Sequence, residues 1–205
     1  MRNIIPAAPV AALVAALIAP APAAFAQASD AARAPVQSLC DGLIGIMKGG
    51  KAMGTRGRAA AIGPVVDRVY DVPLMTRLTV GASWNTITPA DQTALVAAFR
   101  RMIIGQYAVN FDSFSGEKFT VDPKVETRGT DSLVRTTLIV PHDQPVAIAY
   151  RLRSSGGSWK VVDVFYRNSI SQLATRRSDF ARVLATGGAK ALIRHLDELS
   201  TKAGN

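Results

Sequence analysis

The sequence predicts an α+β fold in which helices lie on one side of a curved antiparallel sheet, of four strands or slightly more, and enclose an apolar cavity. Three observations predict it. Apolar residues recur at helical spacing before about residue 112 and after about 170, the period changes to two across 118–166, and the strands in that stretch follow one another with short connections. Strands joined in this way form an antiparallel meander, whose apolar face the helices must cover.

Met1, Arg2 and Asn3 give a basic start, an Ala/Val/Leu/Ile-rich run follows to about Ala24, and Ala24-Phe25-Ala26 places small residues at positions −3 and −1 of a cut. These are the marks of a secretory signal peptide cleaved after Ala26, which leaves 27–205 as one domain. Pro6, Pro9, Pro20 and Pro22 interrupt the run, leaving less than the roughly 20 apolar residues that a spanning helix needs.

The helical part covers about 30–112. Between Pro35 and Lys48, Leu39, Leu43, Ile46 and Met47 share a helix face that Gly49-Gly50 ends. A second helix spans about 58–69 with Ile62, Val65, Val66 and Val69 on one side, and a short one runs from Leu74 to Val80. Thr88-Pro89-Ala90-Asp91 combines an N-cap, a proline at the first helical position and an acid in the first turn. The helix it starts runs to about Asn110, with Leu95, Phe99, Met102, Ile103 and Tyr107 as its apolar stripe.

The sheet covers about 117–167. Its strands are predicted at Lys118 to Thr127, bent at Pro123, at Ser132 to Val140, at about 146–153, and at Trp159 to Tyr166. In the third, Val146, Ile148, Tyr150 and Leu152 face one way and Ala147, Ala149, Arg151 and Arg153 the other. Ser154-Ser155-Gly156-Gly157 turns into the fourth, where alternation groups Asp163 with Trp159, Val161 and Phe165. Helices at about 171–185 and 189–199, separated by Gly187-Gly188, close the chain over about 170–200.

Lys and Arg number 24 against 15 Asp and Glu, a net charge of +9, with 48% hydrophobic residues. That composition excludes a disordered or collagen-like chain. Export excludes nucleic acid as a partner, so the charge points to a membrane surface, acidic proteins or solubility. The basic residues are dispersed, and Arg56, Arg58, Arg100 and Arg101 read as solvated. Cys40 has no cysteine to pair with and reads as a buried thiol on a helix.

Catalytic and metal-ligating sets are not found. Two histidines and one cysteine build no zinc pattern, His142-Asp143 reads as a solvated turn, and no phosphate loop, HExxH or GxSxG motif occurs. Asp163 interrupts an apolar strand. Facing a pocket beside Tyr150 it would serve as the base of an isomerase or hydratase, whereas facing outward it would pair with Arg151 or Arg153. The second arrangement is the better supported.

Tyr70-Asp71-Val72-Pro73-Leu74-Met75, the segment from Trp84 through Thr88-Pro89 to Tyr107, the run Tyr150-Arg151-Leu152-Arg153 to Trp159-Lys160-Val161-Val162-Asp163-Val164, and Ser169-Ile170-Ser171 with Arg177-Ser178-Asp179-Phe180 resemble the MlaC/toluene-tolerance family of periplasmic lipid-binding proteins. The stretch from Ile170 to Phe180 is most similar to its hopanoid-associated HpnM branch. Arg167-Asn168 departs from the acidic residue and glycine of many relatives. The resemblance implies a periplasmic carrier with no cofactor, which holds hopanoid or phospholipid tails in a deep pocket. It also implies exchange with an inner-membrane transporter and an outer-membrane lipoprotein complex, with transient contact at the membrane surface.

The candidate lipid-binding residues are Leu74, Met75, Phe99, Met102, Ile103, Tyr107, Leu138, Ile148, Tyr150, Val161, Phe165 and Ile170. Trp84, Phe111 and Phe114 offer flat surfaces suited to a ring system. Arg151, Arg153, Arg176 and Arg177 are candidates for charges at the cavity mouth that attract anionic headgroups. A non-enzymatic envelope adaptor with a filled core is the remaining alternative.

Overall fold

A computed structural model describes residues 21–202, so most of the expected leader lies outside the described residues. The first helix, α1 (Ala21–Val69), begins earlier than expected and runs through Pro35. The Ala-rich sequence around Pro35 favours helix strongly enough to carry it, and Ala32 and Val36 extend the buried stripe of Leu39, Leu43 and Ile46. The break expected at Gly49-Gly50 is a pair of bends inside α1, at Gly50 (φ 53°) and Gly54 (φ 66°), where only glycine turns left-handed without strain.

Asp71 caps α2 (Val72–Val80) by accepting from the Leu74 amide at 3.0 Å. A turn of 3-10 helix (Gly81–Thr86) leads to α3 (Pro89–Asn110), which Thr88 caps as its sequence predicts, accepting from the Asp91 amide. Among the described residues, no helix is long and apolar enough to cross a membrane.

The sheet is antiparallel throughout, in the order β1 (Lys118–Arg128), β2 (Asp131–Ile139), β3 (Val146–Ser155), β4 (Ser158–Tyr166), β5 (Ile170–Ser171). The first pairing shifts register between Val121 and Val125, where Pro123 bends the strand. Gly156 and Gly157 both take positive φ in the two-residue turn between β3 and β4, as right-twisted hairpins require. Between β4 and β5, Arg167 and Asn168 are also left-handed, a conformation that asparagine tolerates and that costs arginine about 1 kcal/mol.

Between Arg151 and Leu152 the β3–β4 register slips, so that β4 carries Val162 as an extra residue. Such a bulge exchanges the two faces of the strand beyond it. Val161 therefore sits opposite Leu152 on the inner face, whereas Asp163 and Phe165 sit opposite Arg151 and Ala149 on the outer face. This corrects the grouping of Asp163 and Phe165 with Val161 that unbroken alternation predicts.

The last helix, α4 (Gln172–Leu199), bends at Gly188 (φ 64°), where the glycine pair predicted a break. Helices α1, α3 and α4 cover the inner face, burying Val134, Tyr150, Leu152 and Val161. Arg100 bonds Asp67 at 2.6 and 2.7 Å to tie α3 to α1, and Phe99 meets Phe180 edge-on at 6.1 Å to tie α3 to α4. At Gly105 of α3, a Cβ would lie 1.9 Å from the Ser200 carbonyl oxygen just beyond α4. Alanine in a helix is ordinarily about 1 kcal/mol better than glycine. Here the sign should reverse: Gly105→Ala is expected to lose about 2 kcal/mol by overpacking and to melt about 5 °C lower. An unchanged or higher melting temperature would show that the two helices are not held this closely.

Candidate functional site

A cleft of about 360 Å³ opens between the inner sheet face and the helices. Tyr70, just beyond α1, and Met75 of α2 enter it, and Phe99, Ile103, Gln106, Tyr107 and Asn110 descend one side of α3, followed by Phe111. Leu138, Val146, Ile148, Val164 and Tyr166 form the sheet wall, and Gln172 and Arg176 close the rim from α4. The volume lies near the lower end of the roughly 300–1,000 Å³ of ligand sites. The other large clefts have a different chemistry. One of about 420 Å³ lies on the outer sheet face among the ion pairs of Glu126 with Arg135 and Asp131 with Arg153, one of about 620 Å³ is lined by the Asp67–Arg100 pair and Lys160, and one of about 560 Å³ between α1 and α3 is lined by Arg56, Arg100 and Arg101.

Polar groups lie at the base of the central cleft. The Tyr70 and Tyr107 hydroxyls hydrogen-bond each other, Tyr150 is buried nearby, and Cys40 lies close enough to act on all three electrostatically. Burial pushes the Tyr70 and Tyr150 phenols well above their ordinary value and the Tyr107 phenol up to about 12. Burial, reinforced by the neighbouring Asp41 carboxylate, pushes the Cys40 thiol up to about 12. All four stay neutral at physiological pH, so the base of the cleft is polarisable and uncharged.

Of the residues selected from the sequence, Met75, Phe99, Ile103, Tyr107, Leu138 and Ile148 stand on the cleft wall. Tyr150, Met102 and Val161 are buried in the core behind it, and half-buried Leu74 is absent from the lining. Two placements are corrections. Phe165 lines the outer-face cleft because of the bulge at Val162, and Ile170 is 50% exposed on the two-residue edge strand. Of the aromatic candidates, Phe111 reaches the cleft, Trp84 packs against the core, and Phe114 is exposed beneath the Lys48 ammonium.

Asp163 is buried on the outer side of the sheet, facing away from the cleft. Its carboxylate accepts from the Ser171 hydroxyl at 2.7 Å and from the Val164 and Leu173 amides at 2.8 and 3.1 Å, with Arg151 at 3.7 Å. It anchors the start of α4, and the isomerase arrangement loses its base. Arg151 and Arg153 are likewise on the outer face, where Arg153 grips Asp131 with both arms at 2.7 and 2.9 Å. Arg177 packs over Gly81, which leaves Arg176 as the one candidate mouth charge that lines the cleft.

Sequence reasoning missed Tyr70, Gln106, Asn110, Val146, Val164, Tyr166 and Gln172 as lining residues. Gln106 and Asn110 continue the α3 stripe at i+3 and i+7 from Ile103, and only their polarity hid them. Val164 and Tyr166 were hidden by the bulge, which no residue of β4 announces.

The model of the MlaC protein family matches residues 37–198, most of the chain. The fold is also similar to the solved structure of a phospholipid-binding protein from Ralstonia solanacearum in complex with a phospholipid. The identity is 26%, the TM-score 0.68, and the match covers 82% of this chain and 96% of that one.

Proposed function

The chain belongs to the MlaC family, and from that premise we propose that it is a periplasmic lipid carrier. It holds the tails of a phospholipid or hopanoid in the central cleft and passes them between an inner-membrane transporter and an outer-membrane lipoprotein complex. The observation that carries this reading is the cleft itself, with apolar side chains from sheet and helices meeting around a space that the core leaves unfilled. Each lipid CH₂ withdrawn from water contributes roughly 0.8 kcal/mol, so a long tail binds without specific contacts along its length. The similar protein from Ralstonia solanacearum is described as phospholipid-binding, which supports the same ligand class here. The adaptor alternative required a filled core, and the cleft counts against it.

The protein purified from bacteria without detergent is expected to carry near-stoichiometric lipid through dialysis, read by native mass spectrometry and solvent extraction. Ile148→Trp, which projects an indole from the sheet wall into the cleft, should reduce the bound lipid severalfold while the variant still melts cooperatively. Lipid-free protein that also takes none from phospholipid or hopanoid vesicles would overturn the carrier reading.

A further inference from the structure

Arg176 is the arginine that lines the central cleft. It stands on the rim of an apolar cleft, and among the described residues no carboxylate lies within 4.0 Å of its guanidinium, whereas Arg100, Arg101, Arg135, Arg151, Arg153 and Arg182 all have one. The nearest acid on its own helix, Asp179, is already engaged by Arg182 and His195. Arg176 donates from Nη2 to Gln106 Oε1 at 2.7 Å and from Nη1 to the Met102 sulfur at 3.1 Å, the latter a weak acceptor. Burial holds its pKa below the usual arginine range against the opposing pull of Tyr107 and Asp179.

A partly desolvated cation satisfied only by an amide and a thioether is poorly compensated, and an oxyanion is the group that would complete it. The position fits, because tails seated among Phe99, Ile103 and Ile148 would bring a head group to the rim where Gln106, Gln172 and Arg176 lie. We propose that Arg176, oriented by Gln106, binds the phosphate of a lipid head group, so that the cleft selects phosphate-bearing lipids over neutral lipids with the same tails. This rests on the carrier reading and narrows it: a neutral hopanoid would leave the guanidinium uncompensated.

The test uses the delipidated mature chain, equilibrated with phosphatidylglycerol vesicles doped with diacylglycerol of the same acyl chains. The lipid bound to recovered protein is compared with the vesicle ratio. A charge-assisted contact predicts about tenfold enrichment of the phospholipid. Arg176→Gln should bring the enrichment close to unity by lowering phosphatidylglycerol uptake more than diacylglycerol uptake, and Arg176→Lys should restore part of it. Uptake of both lipids without preference by the unaltered protein overturns the head-group assignment alone and leaves the carrier reading standing. Uptake of neither overturns both. Enrichment that persists in Arg176→Gln, or an equal loss of both lipids in that variant, assigns Arg176 to the α3–α4 contact. Should the variant fail to fold, the preference of the unaltered protein still decides.

Discussion

Arg58→Met is expected to lower the melting temperature by about 10 °C, corresponding to a loss of about 3 kcal/mol. Arg58 is 4% exposed, and its guanidinium reaches three acceptors on two helices: Nε donates to the Ala108 carbonyl of α3 at 2.7 Å, and within α1 Nη1 donates to the Gly50 carbonyl at 2.7 Å and Nη2 to the Thr55 hydroxyl at 3.3 Å. It thereby fixes the bend of α1 to the end of α3. Methionine replaces the aliphatic stem but leaves two carbonyls with lost partners, each costing about 1–3 kcal/mol where water cannot replace them. Arg58→Lys should recover at most about half of the loss, because one ammonium does not present the same planar spread of donors. Because α3 bears Phe99, Ile103 and Tyr107, lipid retention should weaken together with stability. A change in melting temperature below about 2 °C in Arg58→Met would mean that solvent or a shifted helix end satisfies both carbonyls.

This contact also marks a limit on what the chain discloses. Arg58 follows Arg56 at a spacing that reads as a solvated face, and its burial depends on two left-handed glycines that fold α1 back toward α3. Elements with local signals were legible: the Thr88-Pro89-Asp91 start of α3, the Gly156-Gly157 turn, the bend at Pro123 and the inner-face set of β3. The start of α4 depends instead on Asp163, a residue ten positions before Leu173 whose inward or outward direction is decided by one extra residue at Val162. β5 is two residues long and has no alternation to detect.

The site was readable to the extent that it is apolar. Phe99, Ile103 and Tyr107 declare themselves by helical spacing, and Leu138 and Ile148 by strand parity. Gln106 and Gln172 escape a reading that looks for apolar residues, and Arg176 reads only as a charge at the cavity mouth, where the structure places it on the cleft lining beside Gln106. Polarity on a predicted apolar face is read as an imperfection in the stripe, although a head group is recognised by such residues. Residues of this kind are identified only once the neighbouring helix and sheet are known.

Stability should be flat from neutral pH to about 9 and then collapse, through four buried groups around the base of the cleft. The Cys40 thiol, with an ordinary value of 9.0, is held at about 12 in the folded protein. The Tyr107 phenol, ordinarily at 10.0, is also held at about 12, and those of Tyr70 and Tyr150 are held well above 10.0. Folded pKa values above the unfolded ones mean that the native state binds more protons in the interval. Stability is fully present below the unfolded pKa and is lost as pH rises through the interval, at up to about 1.4 kcal/mol per proton per pH unit.

Cys40, which has the lowest ordinary value of the four, acts first, between about pH 9 and 10. The three phenols then join it, so that four groups oppose folding together as the pH approaches 11, enough to threaten the whole stability of an ordinary domain. Thermal melts across this range should therefore show a shallow decline between pH 9 and 10 and a steep one above. Cys40→Ala should make the decline between pH 9 and 10 shallower, leaving only the part that the phenols begin to contribute near pH 10, at a melting temperature lowered by the cavity it leaves, whereas Tyr150→Phe should mainly reduce the slope above pH 10. Bound lipid should be released over the same steep interval, because the groups that ionise lie around the base of the cleft proposed to hold it. A Cys40→Ala profile parallel to that of the unaltered protein between pH 9 and 10 would show that the thiol ionises without unfolding and is closer to water than its 1% exposure indicates.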